Sequence, residues 1–392
     1  MKKAFFKPTA LLLLGFFALQ GCDRDGALEA LDEDEVAPIN LMVAPRVTTP
    51  PVIDGVADDA VWDQADPVFV SVTVADIPAF AGYGGRTYQV EMKAVYDDNS
   101  VYFLARYNDA KLDADRQPWF VDPATGLWQQ ESRYPTFDEE GRLIRKGFYE
   151  DKFSLMWEAS EVEGFARSGC AVSCHVGLSP FSNDGGKTAL KYTNNFGEVL
   201  DMWHLKYVRS AGTSIPTMDD QHTNWTSTAK DGGRHSDPGV NSYANNAQTI
   251  DGKAAPLYVL KNPPSSYFWI TPDQLAGGEA LKVIAAHENG DLTLADGSKI
   301  LASDPNYQRD GALRPPSVYT RIPDGDRADI TARAVYDGGF WTVEIKRAMI
   351  TGSDVDVQFD DLSKDFPFGV AVFDNAAIAH ATSAEPFFLR FK

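Results

Sequence analysis

Apolar and polar residues alternate with a period of two along much of the chain, and this pattern predicts β-strands. The clearest case is YQVEMKAVYDDNSVYFLARYND, residues 88–109. Val90, Met92, Ala94 and Tyr96 share one face, then Val101, Phe103, Ala105 and Tyr107 share another. Asp97-Asp98-Asn99-Ser100 between them predicts the turn of a hairpin. DKFSLMWEA (151–159) predicts another strand, ARAVYDGGFWTVEIKR (332–347) a second hairpin turning on Asp337-Gly338-Gly339, and FGVAVFDNA and FFLRFK the closing strands. PVIDGVADDAVWDQADPVFV (51–70) opens the folded part, with a turn at Gly55, Trp62 as a core anchor, and an alternating run from Val68 and Val70.

Helical periodicity is scarce. Short strands separated by turn signals predict a mainly β fold, an antiparallel β-sandwich or jelly-roll-like barrel. From about residue 176 to 330 the text turns rich in Gly, Asn, Ser, Pro and Asp, as in SNDGGK, AKDGGRHSDPG and KNPPSS. This predicts one long insertion between core strands of a domain running from 46 to 392, with no internal repeat of fixed period.

The N-terminus does not share the alternation. Lys2 and Lys3 precede the apolar run Leu11–Ala18, which is too short to span a bilayer and has the layout of an export signal over residues 1–21. The run ends Leu19-Gln20-Gly21-Cys22, which resembles a bacterial lipobox, so Cys22 is expected to be lipidated; a buried cysteine at a helix start is the structural alternative. Residues 23–35 hold seven acids against Arg24, and with Pro38 they extend an acidic tether over 22–45. Asp23 resembles an inner-membrane retention signal, which implies a lipid-anchored protein on the periplasmic side. Losing Lys2, Lys3 and Lys7 with the signal would take the formal charge from −20 to −23. Such acidity argues against nucleic acid and favours a partner with a basic docking face.

The sequence contains three cysteines, and the two besides Cys22 lie together in SGCAVSCHVG: Cys170, Cys174 and, next to it, His175. Two thiols can each add to one porphyrin vinyl group, and the following imidazole can then bind the iron, so the pattern predicts one covalent haem c. Three residues separate the cysteines, where two are usual. A disulfide, a structural zinc site and a redox thiol pair compete. A disulfide leaves His175 unexplained, zinc lacks its other ligands, and a redox pair normally has two intervening residues. For the second axial position His204 in DMWHLKY, His380 in GVAVFDNAAIAHATS and Met156 in FSLMWEA are the candidates. Met156 in an apolar strand also reads as core packing. His222, His235 and His287 lie in polar text and read as solvated loop residues. Trp157 and Trp203 read as core or as porphyrin-edge contacts, and Lys206 and Arg209 as propionate partners or exposed cations.

The pieces IDGVADDAVW, VYDDNSVYFLARYND, DKFSLMWE, DMWHLKY and GVAVFDNAAIAHA, in that order from about residue 50 to 381, resemble the ethylbenzene dehydrogenase-related haem-binding domain family. The first piece also resembles the carbohydrate-binding family 9 sandwich. The resemblance implies a β-sandwich with haem at one end. Some members of that family are small subunits of periplasmic molybdenum dehydrogenases that hold haem b between Met and Lys. Here the Cys-x-x-x-Cys-His is added, and His380 is the residue nearest the place after FDN where those members carry the Lys. The resemblance therefore implies His175 and His380 as axial ligands, with His204 and then Met156 as alternatives. It implies an electron-transfer protein, stand-alone or a subunit, acting near a membrane redox partner. No organic substrate pocket is evident from the sequence. A haem enzyme or sensor with an open sixth site, and a carbohydrate-binding lipoprotein, remain as other readings.

Overall fold

Alternating sequence becomes a sheet only when each strand finds neighbours that bury the same face. The computed structural model describes residues 40–173, 192–210, 215–225 and 233–392. Among these residues thirteen strands join in one sheet. They are β1 (Leu41–Ala44), β2 (Val68–Val74), β3 (Thr87–Tyr96), β4 (Ser100–Asn108), β5 (Lys152–Glu158), β6 (Val199–Lys206), β7 (Asp219–Asn224), β8 (Arg234–Ser236), β9 (Thr331–Asp337), β10 (Phe340–Ala348), β11 (Asp365–Phe373), β12 (Ala381–Thr382) and β13 (Phe387–Phe391). The hydrogen-bonded order is β8-β7-β6-β5-β11-β12-β2-β3-β4-β10-β9. β13 pairs with β11, and β1 lies parallel to β13; the other pairings are antiparallel.

The two-residue β12 bonds to both β2 and β11, and the sheet doubles over there into facing layers. The layers meet through rings. Phe103 of β4 lies 5.5 Å from Trp157 of β5 and 5.7 Å from Trp203 of β6, and Tyr107 stacks on Phe153 at 5.8 Å. Each such pair contributes about 0.5–1.5 kcal/mol beyond its buried area. This is the mainly β, antiparallel sandwich that the alternation predicts. Both predicted hairpins form, as β3–β4 and β9–β10. Trp62 is buried in a smaller cluster, its indole nitrogen 3.0 Å from Glu344 Oε1. Trp157 and Trp203 face the core.

Two boundaries differ from the sequence reading. Met42 and Ala44 of β1 are buried in the core, so residues 41–44 are part of the sheet rather than of a tether to residue 45. The stretch 176–330 is divided. β6, β7 and β8 belong to the main sheet, while Tyr258–Leu260, Ala280–Ala286, Leu292–Leu294 and Lys299–Ile300 form a four-stranded sheet. That small sheet packs around Val283 and Leu292 with Trp119 and Trp128 from earlier in the chain. β7 reads DDQHTN and contains no apolar residue, so no hydrophobic period could announce it. Among the described residues no helix is long and apolar enough to cross a membrane. Cys22 and Asp23 lie outside the described residues.

Candidate functional site

Alternation gives β5 and β6 two different faces. Phe153, Leu155 and Trp157 enter the core with Trp203 and Leu205. Lys152, Ser154 and Met156 then point away from it, as do Met202, His204 and Lys206. Register aligns these outward residues with β11 in rows: Met202, Met156 and Gly369; His204, Ser154 and Ala371; Lys206, Lys152 and Phe373. The face has a floor of small side chains, with sulfur at one end, cations at the other and an imidazole between.

The first cysteine of the motif is seated at the sulfur end. A short helix, α1 (Phe165–Ser168), leads into a tight 3-10 turn over Gly169–Val172. Gly169 adopts φ +55°, a backbone state that glycine takes without the strain of a Cβ. Cys170 lies against Gly369, where even an added Cβ would come only 3.6 Å from its Sγ. Cys170 and Val172 pack with Met156, Val162, Phe165, Leu200 and Met202. Ser173 Oγ stands 3.9 Å from Met156 Sδ. Met156 is thus buried beneath the motif rather than in the main core, because its position in the strand alternation is outward. Cys174 and His175 lie outside the described residues.

His204 and His380 border the same face from two sides of one ring. Phe373 lies 5.5 Å from His204 and 5.1 Å from His380, and Phe80 flanks His380 at 5.8 Å. The two imidazoles are held in different ways. His380 Nδ1 is 2.7 Å from the Ile378 carbonyl, so Nδ1 must carry the proton and donate it, leaving the lone pair on Nε2. His204 Nδ1 lies 3.2 Å from the Arg234 guanidinium and 3.4 Å from Gln221 Oε1, a donor on one side and an acceptor on the other. Its Nε2 is buried with no hydrogen-bond partner. Burial, and then the charges of Lys206 and Lys152, push the His204 pKa well down, and the ring is neutral at pH 7.

Lys152 is buried, its ammonium 3.8 Å over the Phe373 ring and 3.1 Å from the Ala377 carbonyl. Burial, then the nearby Arg209, pulls it well below the usual lysine range. Lys206 and Arg209, read from sequence as propionate partners or exposed cations, are buried and carry carboxylates of their own. Lys206 pairs with Asp219, and Arg209 with Glu150. Lys152, and Arg234 beside His204, are the other basic side chains at this end of the face. His222, read as a solvated loop residue, is instead buried in β7 against Asp237. Sequence reasoning missed Met202 and Lys152. Met202 was within reach, since in DMWHLKY it shares strand parity with His204.

A small-residue floor, thioether and imidazole donors, and cations at one end suit a large planar group bearing a nitrogen- or sulfur-seeking metal and acidic edge groups. The unpartnered His204 Nε2 adds a further polar atom to the face.

No curated protein matches the chain. Among solved structures, a carbohydrate binding module family 9 from Caldicellulosiruptor kristjanssonii in complex with glucose is 9% identical. The match covers 90% of this chain and 96% of that chain with a TM-score of 0.30. A putative carbohydrate-binding protein from Bacteroides uniformis is 8% identical, covering 90% and 99% with a TM-score of 0.32. A family model described as ethylbenzene dehydrogenase matches residues 59–384, a span that includes β2 to β12 and every residue of the face described above. The chain belongs to the ethylbenzene dehydrogenase family.

Proposed function

We propose that this chain is a haem c electron-transfer protein of the periplasmic side of a bacterial membrane, lipid-anchored through Cys22. In this reading Cys170 and Cys174 would hold the haem through thioether links, and His175 and His380 would ligate its iron. The observation that carries the reading is the seat of Cys170 on the same sheet face as His380 and His204. When bound, the haem supplies one-electron exchange at an iron whose potential its axial ligands set.

The chain's own residues do the positioning. The Ile378 carbonyl orients the His380 ring and keeps its lone pair on Nε2, as outer-shell partners of ligating histidines do. His204, whose buried Nε2 has no hydrogen-bond partner, is the alternative ligand, and Lys152 serves the acidic edge groups. Met156 is turned toward Ser173 and packs beneath the motif. A rigid sandwich under the site keeps reorganisation small on electron exchange.

A haem-stained denaturing gel tests the reading. The full-length chain is expected to keep its stain after denaturation and after acidic acetone, and Cys170→Ala to lose most of it. A colourless protein, or pigment wholly extracted from the unsubstituted chain, would overturn the assignment.

A further inference from the structure

The strands that carry Met202 and His204 on one face carry a second cluster on the other. Asp201 of β6 and Asp220 and His222 of β7 point inward, since their parity is opposite to that of Met202 and His204. Asp237, just after β8, and Asp356, between β10 and β11, close the same pocket. Asp220, Asp237 and Asp356 are all buried, and one carboxylate oxygen from each lies within 4.8 Å of the others.

The pocket holds more negative charge than the protein around it answers. Asp201 and Asp329 border it, so five carboxyl groups meet there. Arg347, fully buried, is the cation among them, 2.8 Å from Asp356 Oδ2, 3.6 Å from Asp201 Oδ2 and 3.9 Å from Asp329 Oδ2. His222 binds Asp237 through Nδ1. After these contacts Asp220 Oδ2, Asp237 Oδ2, Asp356 Oδ1 and Asp201 Oδ1 are still buried without a hydrogen-bond partner. An unpaired buried carboxylate oxygen is costly, and several together require either protons or a cation.

A second acidic triad shows the contrast. Asp109, Asp151 and Asp374 also approach one another, but each carboxylate accepts hydrogen bonds from the protein. Asp374 accepts from Arg86 and Tyr88, Asp151 from the Asp113 and Asn375 amides, and Asp109 from Trp341 and the Lys111 amide. That triad is satisfied by the protein itself.

We propose that Asp220, Asp237 and Asp356 bind a single calcium ion, between β7, the end of β8 and the segment after β10. Hard carboxylate oxygen is the donor set here, and the unpartnered Asp220 Oδ2, Asp237 Oδ2 and Asp356 Oδ1 would supply three of the roughly 6–8 oxygens that calcium takes, with water completing the shell. Zinc would want nitrogen or sulfur ligands, and magnesium demands near-ideal octahedral geometry that calcium does not. The ion would tie the β7–β8 edge to the opposite layer. This proposal does not rest on the haem reading, because the pocket lies on the other side of β6 and β7.

The test uses the full chain stripped with EGTA, then dialysed against CaCl2 or MgCl2, with metal content and thermal melting as readouts. One calcium per chain, and a Tm several degrees higher in calcium than in EGTA or magnesium, are expected. Asp237→Asn and Asp356→Asn should each weaken calcium binding tenfold or more and abolish the Tm response. Less than about 0.1 calcium per chain at about 1 mM calcium, with equal Tm in calcium and EGTA, overturns the proposal. So does a response to magnesium equal to that to calcium, or carboxamide variants that melt higher than the parent in EGTA and calcium alike, which would mean shared protons. The comparison on the unsubstituted chain decides the matter even where a variant does not fold.

Discussion

Two histidines flank Phe373, and what separates them is the atom each Nδ1 meets. Nδ1 of His380 faces a carbonyl, which fixes its proton there, whereas that of His204 lies between a guanidinium and an amide oxygen. This gives the ligand choice a physical basis that residue type alone could not. The prediction at this scale concerns the sixth position. His380→Ala is expected to open it, so that the ferrous protein binds carbon monoxide rapidly while the parent's spectrum does not change. His204→Leu should leave the parent's carbon monoxide behaviour unaltered. Rapid binding by the parent would instead support a haem enzyme or sensor, and gain of binding only in His204→Leu would reassign the ligand.

At the scale of elements, the seat of Cys170 depends on how the short helical segment leaves β5. Glu158 at the end of that strand accepts from the Val162 amide at 3.1 Å, fixing the entry to the segment that carries the cysteine. Burial, opposed by that amide bond, raises its pKa from 4.5 to about 7, with Glu161 and Glu198 adding to the rise. A raised carboxyl pKa means that the folded chain binds this proton more tightly than the unfolded one. The associated stability is fully present below pH 4.5 and is lost as pH rises toward about 7. Glu158→Gln keeps an acceptor and removes the charge. It is expected to melt higher than the parent at pH 8, by about 1 kcal/mol once solvent screening is discounted, and to match it at pH 4. Unfolding in urea at the two pH values measures this; a variant less stable at pH 8 would show that the carboxylate charge is used there.

At the scale of the molecule, one cluster of acidic side chains lies beside the Cys170 segment. Glu158, Glu161, Glu163 and Glu198 line a depression alongside α1, next to the Cys170 segment, with Glu161 and Glu163 exposed. The whole chain carries a formal charge of −20. A basic redox partner would be steered toward this rim, and steering of this kind weakens as salt shortens the Debye length to about 8 Å at physiological ionic strength. Stopped-flow reduction by a basic donor protein is expected to slow tenfold or more between low and moderate salt, and Glu161→Gln with Glu163→Gln to flatten that dependence. A rate independent of ionic strength would remove electrostatic docking from the account.

Some of this was legible from residue order and some could not be. Alternation alone marked β3, β4, β5, β9, β10, β11 and β13, because each buries one apolar face and the period of two survives in the text. Residue order also set Cys170, Cys174 and His175 together, the adjacency that the proposed haem attachment would need. β7 was invisible, since a strand of DDQHTN is held by buried charge pairs that leave no hydrophobic period. Met156 read as core, because alternation tells which residues share a face but not which face meets the other layer. Only the pairing of β5 with β6 and β11 decided that Met156, His204 and Gly369 share the face opposite Trp157. Residue order carries local periodicity and local chemistry. The third dimension decided which distant side chains share a surface, and which neighbours orient each imidazole.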